Sequence, residues 1–153
     1  MKVFAVLLAV VAVSSGKLQA QSSDSTTVVG VVAGFHAALR SADSVTALRL
    51  LASEAIILES GDAETRAEYR SHHLPDDIKF ARAVQSKQSL LKVSIRESAA
   101  WVASTSTSEG SFEGRKINSA GAELMVLRRT RAGWTIAAIH WSSHTRRPVS
   151  TPR

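Results

Sequence analysis

Five histidines, one tyrosine and a few glutamates beside apolar runs are the side chains of this chain that could move protons. His140, Ser142 and His144 recur at every second residue, so in an extended strand they share a face, together with Ile136 and Ala138. If that face looks into a pocket, His140 sits deep and His144 near the rim, and an imidazole there can act as acid or base near neutral pH. The plainer alternative is a histidine fixed in the core by one hydrogen bond.

Glu59 ends an apolar run with Ile57 on its side, and Glu123 opens another with Met125 and Leu127. A carboxylate enclosed by apolar groups has a raised pKa and could take a proton from a carbon acid; at a strand end in water it is only a surface charge. Tyr69 and His73 stand four apart, with His72 between them, a spacing that makes a polar lid or simply secures the Leu74-Pro75 turn. The expected catalytic set is therefore His140 with Glu59 or His73. His36, Tyr69, His72, Glu123, Ser142 and His144 are the expected ligand-binding residues.

Metal chemistry fits the spacing poorly. His140 and His144 would be about 13 Å apart on a strand, and the adjacent His72 and His73 diverge by about 100° on a helix. A site would need one of that pair joined to His140 or His36 by the fold, so neither a metal nor another cofactor is expected. Gly110 to Lys116 faintly suggests a phosphate loop, but it is one residue short and no Ser or Thr follows the lysine. It reads as a hairpin connection.

The elements that must hold these residues follow from periodicity. Val28, Val31, Val32, Phe35 and Leu39 predict a helix capped by Thr26 or Thr27, and Asp43 or Ser44 caps a second with Val45, Leu48 and Leu51. Ala55 to Glu59 reads as a strand ended by Ser60-Gly61-Asp62. Thr65 caps a helical piece from Arg66 to His73, which Pro75 stops; Asp76 to Val84 is a helical turn or a structured loop. The remainder alternates as strands: Leu91 to Ile95, Trp101 to Ser106, Glu123 to Leu127 and Trp134 to Ser142, with turns at the glycines. Helices first and strands afterwards mean α+β.

Met1-Lys2, the apolar run Val3 to Val13, and the small residues up to Ala20 have the layout of a secretory signal. The run falls short of the roughly 20 residues that span a bilayer, so no membrane insertion is expected after cleavage. The expected organisation is a signal peptide over 1–20, a disordered leader over 21–26, one domain over 27–145 and a disordered basic tail over 146–153. The product would be periplasmic or secreted. With no cysteine, it has no disulfide framework, thiolate metal site or cysteine nucleophile. The net charge of +6 rests largely on Lys2, Lys17, Arg146, Arg147 and Arg153, outside the domain. What remains is near neutral, which argues against a nucleic-acid partner.

The order of elements, with Phe35 to Asp43 (FHAALRSAD) early and Gly133 to Ser142 (GWTIAAIHWS) late, resembles the nuclear-transport-factor-2-like superfamily over about residues 27–145. The likeness is greatest to its SnoaL-like and exported bacterial branch. The resemblance implies a strongly curved antiparallel sheet wrapped over helices as a cone with an interior pocket. It also implies pairing as a homodimer through the outer sheet face, where Trp141 is expected. Members include isomerases, dehydratases and cyclases as well as proteins with no chemistry. The leading expectation is an exported domain that binds a small, mainly apolar molecule. The alternatives are a proton-transfer enzyme using His140, and an interaction module whose Trp141 face binds another protein.

Overall fold

The structure, a computed structural model, describes residues 11–147, with side chains described from residue 24 onward. The expected signal peptide over 1–20 therefore lies partly outside the described residues, as do residues 148–153 of the expected tail. Helix α1 spans Val11–Arg40. It passes without a break through residues 21–26, expected to be a disordered leader, and through the expected cap at Thr26 or Thr27. Its Val28, Val32, Phe35 and Leu39 are buried on one face, each such side chain contributing about 1.5–3 kcal/mol, so packing sustains a segment of weak helix formers. Among the described residues, no helix is long and apolar enough to cross a membrane.

Asp43 caps α2 (Ser44–Leu50) by accepting the Thr46 N–H at 2.9 Å, which holds its carboxyl below the usual range. Strand β1 (Leu51–Glu59) turns through Ser60 and Gly61, both at positive φ, into β2 (Asp62–Thr65). Thr65 and Glu68 form a capping box that starts α3 (Arg66–Ser71). Helix α4 (His73–Ala83) follows, with Pro75 inside its first turn, where a missing N–H costs nothing. The helical piece expected from Arg66 to His73 thus closes at Ser71, and Pro75, expected to stop it, belongs to the next helix. Residues 76–83, left between helix and loop by the sequence, are helical.

Four long strands complete the chain: β3 (Val84–Arg96), β4 (Ala99–Phe112), β5 (Arg115–Thr130) and β6 (Gly133–Thr145). Glu113 and Gly114, at φ 51° and 76°, make the expected hairpin turn between β4 and β5. The six strands form one curved, unclosed sheet in the order β2-β1-β6-β5-β4-β3, antiparallel except where β1 meets β6. Phe35 of α1, Tyr69 of α3 and Leu74 of α4 fill its concave side against Met125, Leu127, Ile136 and Ile139. The α+β cone is thus realised. Its ends are tied by Asp24 pairing with Arg129, and by the Arg146 N–H donating to Asn118 O at 2.8 Å. The expected tail therefore opens with a fastened residue.

One irregularity decides the site. Leu127 pairs with Ile136 but Val126 with Ala138, so Ala137 is an extra residue in β6. Such a bulge reverses the inward-outward phase of everything after it. Ile136 and Ile139 are both fully buried, and Trp141 follows Ile139 inward. His140 and His144 point outward and are exposed.

Candidate functional site

A cavity of about 400 Å³ opens between the concave sheet and helices α1 and α4. Helix α1 contributes His36, Leu39 and Arg40, which lie three and four apart and so share a face. Asp77, Phe80, Ala81 and Val84 recur at helical spacing along α4 into the β3 junction, which sets Asp77 on the inward face. The sheet adds Glu123, Trp141 and a row of serines, and Phe80 meets Phe112 edge-on at 5.4 Å between ring centroids to close one end.

Glu123 is the centre of one polar group. Its Oε2 lies 2.9 Å from His36 Nε2 and accepts the Trp141 Nε1–H at 2.7 Å; its Oε1 accepts the Ser104 hydroxyl at 3.0 Å. Burial alone would raise this carboxyl, but the donors and the facing imidazole outweigh it and hold it below the ordinary range. The Gln88 Nε2 lies 2.7 Å from the same histidine nitrogen. In one tautomer His36 Nε2 gives its proton to the carboxylate, and in the other it accepts from the amide.

Asp77 is the centre of a second group. The fully buried Tyr69 donates its hydroxyl to Asp77 Oδ2 at 2.7 Å. Burial pushes the Asp77 carboxyl up to about 6, the Tyr69 hydrogen bond opposing the rise and Glu59 adding to it. The same burial, with Asp77 alongside, holds the Tyr69 phenol far above its usual value. Glu59, at the end of β1, is raised by partial burial. It lines the cavity and also a smaller hollow of about 260 Å³ with His73 and Glu64. His73 Nδ1 is 2.6 Å from Glu64 Oε2, a bond that raises the imidazole, and His72 lies 3.7 Å from the other carboxylate oxygen.

The expected residues thus divide. His36, Glu59 and Glu123 line the cavity; Ser142 also borders it, although the bulge sets it in the same phase as His140 and His144. Tyr69 stands behind it through Asp77. His72 and His73 are exposed, and His73 lines the neighbouring hollow. His140 and His144 are corrected: the bulge at Ala137 turns them to the outer face, so His140 has no access to a substrate in the cavity. Trp141, expected outside, is turned in by the same bulge, with its ring 6.3 Å from that of Phe35 and 6.4 Å from that of Tyr69. Asp77 was missed, although its spacing to Phe80, Ala81 and Val84 was the signal that could have found it. Among the described residues, no group of three or more His, Asp or Glu could hold a metal ion.

No family model matches the sequence, and no curated protein does. Solved structures do. A candidate ketosteroid isomerase from Shewanella frigidimarina NCIMB 400 is 30% identical with a TM-score of 0.71, covering 74% of this chain and 92% of its own. A ketosteroid isomerase-like protein from Erwinia carotovora atroseptica is 17% identical, TM-score 0.65, over 80% of this chain and 98% of its own. A candidate dehydratase of the NTF2-like family from Streptomyces avermitilis is 17% identical, TM-score 0.69, over 79% of this chain and 96% of its own. The last two speak to the fold alone.

Proposed function

This chain belongs to the nuclear-transport-factor-2-like superfamily, and from that premise we propose that it is an exported protein whose cavity takes a small, mainly apolar molecule and transfers a proton on it. The observation that carries the reading is the pair of carboxyl groups, Asp77 and Glu123, that line one cavity and are driven in opposite directions from their ordinary values. Such separation assigns roles. Asp77, poised near neutrality, is the group that gains and loses the proton; Glu123 stays ionised and orients His36.

In an isomerase-type reaction the Asp77 carboxylate takes a proton from carbon beside a carbonyl. The C–H electron pair moves toward the carbonyl oxygen, and the proton returns at another carbon. In a dehydratase-type reaction the same abstraction is followed by departure of a neighbouring hydroxyl, which takes back the proton held by Asp77 and leaves as water. His36 is the second acid–base group. The neighbour at 30% identity, named as a candidate ketosteroid isomerase, supports the first form.

Export rests on the residues at the start of the sequence, and a homodimer on the outer sheet face. There Trp101, Val126, Ala138 and Ile56 align across four strands, beside Ala103, Leu124, His140 and Leu58. The exposed large apolar groups of that block suit a second copy.

The test is turnover of small β,γ-unsaturated ketones, followed by ultraviolet absorbance as the double bond conjugates, in wild-type and Asp77→Asn protein. Conversion that falls at least about a hundredfold in the variant supports the reading. Uptake of such ketones with no conversion leaves a binder without chemistry, and no uptake at all sinks both forms. Amino-terminal sequencing of the protein recovered outside the cytoplasm tests export.

A further inference from the structure

The cavity has two unlike walls. The helical side offers Leu39, Phe80 and Ala81, with Phe112 at the end. The sheet side is made of hydroxyls. Ser104, Ser106 and Ser108 recur at every second residue of β4, so all three face inward, in a row about 14 Å long.

Strand register extends that row into a grid. Ser106 pairs with Gln88 on β3 and with Gly121 on β5, and Gly121 pairs with Ser143 on β6. One step along, Ser108 pairs with Ser86 and with Ser119. The glycine leaves room for the hydroxyl beside it. A Cβ on Gly121 would stand 2.8 Å from Ser106 Oγ and 3.2 Å from Ser142 O, so a side chain there would block the Ser106 hydroxyl.

The hydroxyls are not all occupied with one another. Ser104 is committed to Glu123, and Ser86 and Ser108 bond each other at 2.7 Å. The hydroxyls of Ser106 and Ser119, both part-buried residues lining the cavity, bond to no other described residue. A hydroxyl both donates and accepts, so this wall matches hydroxyl and carbonyl oxygens alike. Charge narrows the choice further. Glu59, Asp76, Asp77 and Glu123 line the same space against the exposed Arg40, which opposes an anion. Glu123 is already met by three donors, Asp76 by Lys79 and Asp77 by the Tyr69 hydroxyl, so these carboxyl groups have little to offer an ammonium group.

We infer that the ligand is an uncharged, two-faced molecule, apolar toward Phe80 and Leu39, with two or more hydroxyl or carbonyl oxygens toward Ser106 and Ser119. This rests on the cavity being the ligand site, as proposed above, and it goes beyond that reading by naming the substrate class. A bare hydrocarbon would leave the serine hydroxyls dry and unpaired, which is what makes the discrimination.

Calorimetric titration with naphthalene, 1,5-dihydroxynaphthalene, 1-naphthoate and 1-naphthylmethylammonium tests it. The diol is expected to bind at least about tenfold more tightly than naphthalene, with both ions weaker than the diol. Ser106→Ala and Ser119→Ala, each checked for an unchanged thermal midpoint, should each shrink that ratio while leaving naphthalene as tight or tighter. Naphthalene binding as well as the diol, a ratio indifferent to both serine variants, or an ion binding best overturns the inference while leaving the cavity a ligand site. Failure of wild-type protein to bind any of the four overturns the inference together with the reading beneath it.

Discussion

Tyr69 donates its hydroxyl to Asp77 Oδ2 at 2.7 Å across the join of α3 and α4. The phenol has no exposed surface, and the carboxylate faces the cavity. One buried donor therefore fixes the position of the group assigned to proton transfer and moderates the rise in its pKa. The bond links the packing of two short helices to the chemistry of the site.

Asp77 should make stability fall with rising pH. Its folded pKa, about 6, lies above the roughly 3.9 of an unfolded aspartate, so between those values the folded state holds more proton. The contribution is fully present below pH of about 4 and is lost as pH rises through 6. Asp77→Asn keeps an oxygen for the Tyr69 hydroxyl and removes the titration. Urea unfolding from pH 4 to 8 should show a shallower decline in the variant, with a gain over wild type at pH 8. Identical slopes would mean that Asp77 does not titrate as its burial requires.

Tyr69→Phe should cost about 1 kcal/mol from the lost hydrogen bond, with little loss of packing. It also removes the donor that favours the ionised form, so the Asp77 pKa should rise further. Carboxyl carbon shifts followed by NMR across pH 4 to 8 would register the move, and a downward shift would contradict the assignment of donor and acceptor.

Much of the fold was legible because it is written in local signals. Asp43, Thr65 and Gly61 act where their chemistry demands, and the run of helices before strands fixed the layer order. The site was less so. Period-two alternation was extended from Ile136 to His140 through Ala137, yet nothing in Ala137-Ala138 announces a bulge. A bulge arises from how two strands pair, which neither strand carries alone. The same shift turned Trp141 from an expected surface residue into a donor to Glu123. Asp77 was hidden differently: Pro75 disguised the first turn of α4, so the helical spacing that places Asp77 beside Phe80 and Ala81 was not applied there.

Glu123 should act in the opposite pH range from Asp77. Its carboxyl is held below the ordinary value, so its contribution is present above the roughly 4.3 of an unfolded glutamate and is lost as pH falls through the folded value. Glu123→Ala would strand the His36, Trp141 and Ser104 donors in a largely dry site, at about 2–4 kcal/mol, with Glu123→Gln costing less. Chemical unfolding at pH 7 should rank the two variants in that order, and the gap between wild type and Glu123→Gln should narrow at pH 3. A gap that is the same at both pH values would show that no ionised carboxylate is being lost.

The two histidines provide the sharpest contrast, because the bulge exchanges the roles the sequence suggested. His36 faces Glu123 in the cavity, whereas His140 is exposed between Leu124 and Leu58 on the other side of the sheet. His36→Ala should lower turnover or ligand binding at least about tenfold, since it removes an acid–base group and leaves Glu123 with one donor fewer. His140→Ala should leave both within about twofold. If the outer face pairs with a second copy, His140→Glu sets a carboxylate into an apolar block, and sedimentation should then show dissociation to monomer while cavity binding persists. Loss of cavity binding in His140→Ala, with His36→Ala unaffected, would require β6 to run in the opposite phase and would return the site to the face that the bulge now turns outward.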